Sequence, residues 1–216
     1  MPDGEPRRPV PGSLASSASS RDFDAAYQGT PPWEIGTPQP ALAELARRGL
    51  FRGRVLDVGC GTGEHALLAA GLGLEATGLD SSPRAIAIAQ DKADRRGLPA
   101  HFLVGNALDL GSLGERFDTV VDSGLFHVFD DERRADYVQN LGLVTPSGCH
   151  LLLLCFSDQM PGEFGPRRVT ESELRTSFAA GWTVESLERS RMQVTFAPEG
   201  ANAWLAVVTR VPPEPV

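Results

Sequence analysis

The residues best placed to do chemistry lie between positions 55 and 80. Val55-Leu56-Asp57-Val58 is a short β-rich run, followed at once by Gly59-Cys60-Gly61-Thr62-Gly63-Glu64. A glycine loop between a strand and a helix lets the backbone turn tightly and approach a ligand at the carboxyl edge of a sheet. Asp80 closes the next β-rich run, twenty-one residues after Gly59, where a carboxylate can accept both hydroxyls of a ribose. Position 64 holds Glu instead of the third glycine of the dinucleotide GxGxxG fingerprint, and a negative side chain at the helix N-terminus would compete with a pyrophosphate. Asp57, two residues ahead of Gly59, has no use in a pyrophosphate site but suits a ligand that carries an ammonium group.

These residues require elements that hold them at one edge. Val55 to Val58, Leu74 to Asp80, His101 to Val104, Phe117 to Val121 and Gly148 to Phe156 are strand candidates, with helical stretches at His65 to Gly71, Pro83 to Gly97 and Glu132 to Leu143 between them. Ser82 caps the helix that starts at Pro83. Nearly continuous apolar strands separated by helices predict an α/β, doubly wound sheet. Thr170 opens a last helix with capping-box spacing to Glu173. Trp182 to Leu187 and Ala203 to Val211 follow as two strands without a helix between them, which predicts a hairpin with one antiparallel strand.

The 216 residues suffice for one domain with short appendages. A net charge of −8 offers no global basic field for a nucleic-acid backbone. No run approaches the roughly 20 apolar residues of a membrane helix. Lys92, the only lysine, leaves little scope for Schiff-base chemistry. Cys60, Cys149 and Cys155 lack CxxC spacing and read as reduced thiols of a cytoplasmic protein, with no metal site. Residues 1–20, rich in Pro, Ser and Gly, are expected to be a disordered tail and 212–216 a frayed end, leaving a single domain over 21–211.

A ribose together with an amino-acid ammonium describes S-adenosylmethionine. The sequence resembles the class I methyltransferases, whose first motif is an acidic residue followed by GxGxG; Asp57, Gly59, Gly61 and Gly63 match it, and Asp80 matches the ribose-binding acid. Gly105-Asn106-Ala107 stands where that family usually has Gly-Asp-Ala, so the resemblance implies an adenine contact at Asn106, whose side-chain carbonyl can still accept; the alternative is a turn asparagine. Cys60, Ser81, Ala107 and Asp122 fall within the same cofactor-binding segments. Tyr27 to Gly36, with Pro31-Pro32-Trp33, and the segments Asp122 to Phe129, Cys155 to Asp158 and Gly165 to Thr170 resemble the thiol, halide and thiopurine methyltransferases and their actinobacterial small-molecule, quinone-type relatives. The resemblance covers about residues 22 to 211 and implies a seven-stranded, Rossmann-like sheet of order 3-2-1-4-5-7-6 with strand 7 antiparallel.

The segment from about 21 to 50 makes sense as a lid: prolines stiffen it, Trp33 covers the methionine chain or simply packs on the sheet edge, and Tyr27 donates to the cofactor carboxylate. The chemistry expected is in-line displacement of the methyl group by an O or S nucleophile, such as a phenol, hydroquinone or thiol, or by halide, with S-adenosylhomocysteine as product. His127 is the candidate base, oriented by Asp122, although a structural histidine is the competing reading. Phe126, Phe156, Arg167 and Arg168 are candidate acceptor contacts beside Trp33, with core packing and a solvated charge pair as the plain alternatives. The expected partner is a small molecule, with no nucleic acid and no membrane, and the chain is a monomer or a homodimer. N-methylation of a small heteroaromatic, a nicotinamide-dependent oxidoreductase and a non-catalytic S-adenosylmethionine-binding protein are the alternatives.

Overall fold

A computed structural model describes residues 20–162 and 165–212. Except for Ser20 and Pro212, the expected tail and frayed end lie outside the described residues. Ser20 departs from the expected tail by opening α1. In chain order the elements are α1 (Ser20–Ala26), α2 (Pro40–Arg47), β1 (Arg54–Val58), α3 (Glu64–Gly71), β2 (Glu75–Asp80), α4 (Pro83–Arg96), β3 (Ala100–Val104), β4 (Thr119–Ser123), α5 (Asp131–Val144), β5 (His150–Phe156), α6 (Glu171–Ser177), β6 (Trp182–Val194) and β7 (Ala197–Arg210). Short 3-10 turns cover Ala107–Leu113 and Phe126–Val128.

The seven strands form one sheet of order β3-β2-β1-β4-β5-β7-β6. β1 to β5 pair in parallel, whereas β7 runs antiparallel to both β5 and β6. Alternation along the central strands feeds two cores. Val55, Val121, Leu152 and Leu154 pack with Leu42, Leu45, Ala66 and Leu67 of α2 and α3 on one face. Leu56, Val120, Leu151 and Leu153 pack with Tyr137 and Leu141 of α5 and Leu174 of α6 on the other. Burying both faces is what makes the central strands apolar at every position. β3 departs from that pattern because it is the sheet's edge, and its Leu103 and Val104 are exposed.

Local signals place the ends of the elements that carry the site. Ser82 accepts the Ala85 N–H, and Gly97 ends α4 in the left-handed conformation. Thr170 and Glu173 form the reciprocal capping box of α6. β4 begins two residues later than the Phe117 to Val121 run suggests, because the Asp118 carboxylate accepts the Arg54 N–H and Phe117 turns into the core.

Candidate cofactor and acceptor site

Gly59, Gly61 and Gly63 all adopt positive φ, at 66°, 52° and 84°, a region that L side chains enter only at a cost. The loop they make is covered on its outer side by the N-terminal segment. A Cβ built on Gly61 would stand 2.7 Å from the Tyr27 hydroxyl, and one on Gly63 would stand 2.5 Å from the Phe102 ring. Tyr27 in turn accepts a hydrogen bond from Trp33 Nε1 at 3.0 Å. Burial pushes the Tyr27 phenol far above its ordinary range, so the hydroxyl keeps its proton and remains a donor.

The covering segment is held at several points. Asp24 accepts from the Ser82 hydroxyl at 2.7 Å and the Arg84 N–H at 3.1 Å, and pairs with the Arg84 guanidinium. The Glu34 carboxylate accepts from the Thr62 hydroxyl, and Thr195 N–H at the tip of the β6–β7 hairpin donates to the Pro32 carbonyl at 2.9 Å. Gln39 clasps the backbone of Gln193 through both halves of its amide, at 2.9 and 2.8 Å.

Three carboxylates gather beneath the loop. Asp80 accepts the N–H groups of Gly61 and Ser82, each at 2.8 Å. Those bonds use about two of the four lone-pair positions of a carboxylate, leaving room for a diol. Asp57, only 1% exposed, accepts the Ala66 N–H at 3.1 Å. Burial first, then the charges of Asp80 and Asp122, push its carboxyl up to about 7. Asp122 is fully buried and accepts from Leu125 N, Phe126 N and the Tyr137 hydroxyl; burial raises it to about 6. A carboxyl raised by neighbouring carboxylates, as Asp57 is, is relieved by a cation. The donor set therefore fits S-adenosylmethionine, with glycines where its chain must pass, Asp80 for the ribose and negative charge for its ammonium and sulfonium.

Glu64 does not act as the sequence suggests. Lys92 and Arg96 of α4 bind its carboxylate at 2.8 Å, so its charge is matched and does not oppose an anion at the loop. Asn106 is exposed and its Oδ1 accepts the Leu108 N–H at 3.0 Å, the turn geometry, with Ala107 buried next to it. Cys60 N–H donates to the Leu79 carbonyl at 3.0 Å, which ties the loop to β2. Ser81 is half-buried between Asp80 and Ser82.

The turn after β4 carries His127. Nδ1 of His127 accepts the Phe156 N–H at 2.9 Å, so the neutral ring carries its proton on Nε2. Burial, Arg168 and Arg134 together lower its pKa to about 3. This hydrogen bond opposes the expected base role, because a ring that takes up a proton on Nε2 while keeping the Phe156 bond has no neutral form to start from. Asp122 does not orient His127; its hydrogen bonds instead hold the turn on which His127 sits. His127 lies 4.5 Å, centroid to centroid, from the Phe156 ring, and a Cβ on Gly124 would be 3.5 Å from His127 Nε2 and 3.6 Å from the Met192 methyl.

Of the expected acceptor contacts, Phe156 stays with His127, and the Arg168 guanidinium lies 5.8 Å over the Phe156 ring. Arg168 also donates to the carbonyls of Met160 and Gly162, at 3.2 and 3.1 Å, bracing the connection after β5. Phe126 is not brought to the site: it is fully buried, stacked at 5.7 Å on Phe178, under the Arg134 guanidinium. The Arg167 guanidinium pairs with Asp131 at 2.7 Å and with Glu173, while its backbone N–H donates to the His127 carbonyl at 3.2 Å. Met192 and Gln193 of β6, together with Gln39 and His65, lie against these elements without a motif in the sequence that marks them. The alternation Met192, Val194, Phe196 beyond Leu187 was the available signal for the hairpin's extension.

Comparison with known proteins agrees with this geometry. A family model described as "Methyltransferase domain" matches residues 55–148. The chain is 36% identical over 181 residues to "2-heptyl-1-hydroxyquinolin-4(1H)-one methyltransferase" of Mycobacteroides abscessus, covering 79% of this chain and 80% of the relative. It is 28% identical over 163 residues to "Probable thiol methyltransferase 2" of Arabidopsis thaliana, covering 74% and 72%. Among solved structures, one described as "Conversion of a Disulfide Bond into a Thioacetal Group during Echinomycin Biosynthesis" has 42% identity and a TM-score of 0.80, covering 89% of this chain and 93% of that one.

Proposed function

Because the chain belongs to the S-adenosylmethionine-dependent methyltransferases, we propose that it methylates a small-molecule acceptor that arrives already ionised, a thiolate or an acidic hydroxyl. The observation that carries this reading is the Phe156 N–H bond to His127 Nδ1, which makes Nε2–H a donor instead of a base. When bound, S-adenosylmethionine supplies a methyl group on a sulfonium, and its transfer to an anion leaves no proton to remove.

The roles of the chain's own residues follow from that. Asp80 holds the ribose hydroxyls, and Asp57 faces the cofactor's amino end. Tyr27 donates its free hydroxyl proton to the cofactor carboxylate, while Trp33, which fixes Tyr27, helps exclude water. His127 Nε2–H steadies the acceptor's negative charge, with Arg168 adding positive potential at the same ring, while the charge of Arg134 is matched by Glu173 at 3.4 Å and Asp131 at 3.7 Å. A neutral heteroaromatic nitrogen would gain positive charge on methylation beside the Arg168 guanidinium, which disfavours the N-methylation reading. The relatives named for a 1-hydroxyquinolinone and for thiols support an acidic hydroxyl or a thiolate. A cytoplasmic setting suits three buried free cysteines.

The test is turnover of labelled S-adenosylmethionine with a panel of benzenethiols, N-hydroxy heterocycles, phenols, iodide and heteroaromatic amines. Methylation of the acceptors that are ionised at the assay pH supports the reading. Preference for un-ionised phenols or for amines rejects it.

A further inference from the structure

His65 stands outside the roles assigned so far, yet it touches both halves of the site. It occupies the first turn of α3 and is buried. Its Nε2 accepts the backbone N–H of Gln39 at 3.1 Å, which forces the ring proton onto Nδ1. Nδ1 lies 3.9 Å from Asp57 Oδ1, the oxygen that does not take the Ala66 N–H. That separation exceeds a hydrogen bond but is short enough for the N–H dipole to orient a carboxylate in a buried setting. Burial lowers the imidazole to about 4, consistent with a ring that stays neutral.

Gln39 is the other half of the relationship. It immediately precedes α2, where the covering segment ends, and its side-chain amide pairs with Gln193 of β6 in the manner of a strand neighbour. Gln39 is therefore the residue where covering segment, hairpin and α3 meet, its backbone N–H on His65 and its side chain on Gln193.

We propose that His65 is a positioning residue of the cofactor subsite, its Nδ1–H holding Asp57 toward the cofactor's amino end while Nε2 anchors the covering segment at Gln39. One imidazole thereby couples the closure of that segment to the orientation of the carboxylate beneath the loop. The inference rests on the reading that Asp57 faces the amino end of the cofactor, so wild-type binding of S-adenosylhomocysteine is measured first; Asp57→Asn checks that reading separately.

Two variants split the two contacts. His65→Gln places an amide oxygen where Nε2 now accepts from Gln39 and leaves Asp57 without its ring N–H. His65→Asn keeps an amide N–H on the Asp57 side and is too short to reach Gln39. His65→Gln is expected to weaken S-adenosylhomocysteine about fivefold with the Gln39 amide still protected from exchange, and His65→Asn to keep affinity within about twofold while exposing that amide, the scale of one buried contact between an N–H dipole and a carboxylate. In the wild-type protein, the His65 ring nitrogens should report the Nδ1–H tautomer by 15N resonance, and the Nδ1 signal should move when S-adenosylhomocysteine binds. If both variants change affinity and exchange alike, or change neither while lowering the melting temperature, His65 only packs α3 and the proposal fails. An Nδ1 resonance unmoved by the ligand overturns it without any variant.

Discussion

The Phe156 N–H donates to His127 Nδ1 across 2.9 Å, joining the end of β5 to the turn that follows β4. This bond sets the histidine's tautomer and places a donor, Nε2–H, beside Gly124 and Met192. His127→Asn should keep a side-chain acceptor for the Phe156 N–H near the Nδ1 position and lose the Nε2–H. Turnover should fall about tenfold, the worth of one hydrogen bond to a charged group, with S-adenosylhomocysteine affinity unchanged. Steady-state rates and calorimetric titration check both halves of that expectation.

Four buried groups pull stability in opposite directions as pH changes. His65 and His127 have pKa values lowered to about 4 and about 3, so the stability tied to their neutral forms is full above their ordinary 6.5 and is lost as pH falls through the lowered values. Asp57 and Asp122 are raised to about 7 and about 6 from 3.8, so stability tied to their protonated forms is full below 3.8 and is lost as pH rises through the raised values. The windows overlap, and stability should be nearly flat between about pH 4 and 6. Removing one histidine unmasks the difference. Relative to wild type, His127→Asn should gain stability on acidification, by at most about 1.4 kcal/mol per pH unit. Urea midpoints at several pH values measure it.

Cofactor binding should carry the signature of Asp57. Affinity for the cationic S-adenosylmethionine should rise with pH until the Asp57 carboxyl has ionised, near 7 in the free protein, and then level off. Asp57→Asn should bind more weakly and lose that rise. Titration calorimetry across the range, in buffers of different ionisation enthalpy, also detects the proton released.

Gly61 tests the closed cover. A methyl group there must both strain a backbone at φ 52° and displace the Tyr27 hydroxyl 2.7 Å away. Gly61→Ala should weaken S-adenosylhomocysteine about tenfold or more, while the melting temperature falls only a few degrees, given roughly 1 kcal/mol of strain for a non-glycine residue in this region. Tyr27→Phe should show a smaller loss of the same kind.

The legible parts of this molecule were those written in local chemistry. Ser82 with Pro83, Thr170 with Glu173 and the three loop glycines each act through neighbours within a few positions, so spacing alone exposes them. The apolar runs of β1, β4 and β5 announce burial on both faces. The sequence pattern ends this strand at Leu187, short of Val194, because Glu188, Arg189 and Arg191 face solvent on an edge strand and two register shifts, at Val184/Ser186 and Met192/Val194, interrupt its alternation. Adjacent residues on the Phe126–Val128 turn also point differently, Phe126 into the core and His127 toward Phe156. His65 and Gln39 owe their importance to each other and to Gln193, contacts between distant stretches of chain that no local pattern encodes.

The rate's dependence on pH tests the ionised-acceptor account most directly. With S-adenosylmethionine saturating, so that Asp57 is held ionised, kcat/KM would be followed for two benzenethiols of different acidity. The account predicts a single rise whose midpoint moves with the ionisation of each thiol, unchanged in position by His127→Asn. A midpoint fixed between about pH 6 and 7 for both thiols, the ordinary histidine range, and abolished by His127→Asn would contradict it.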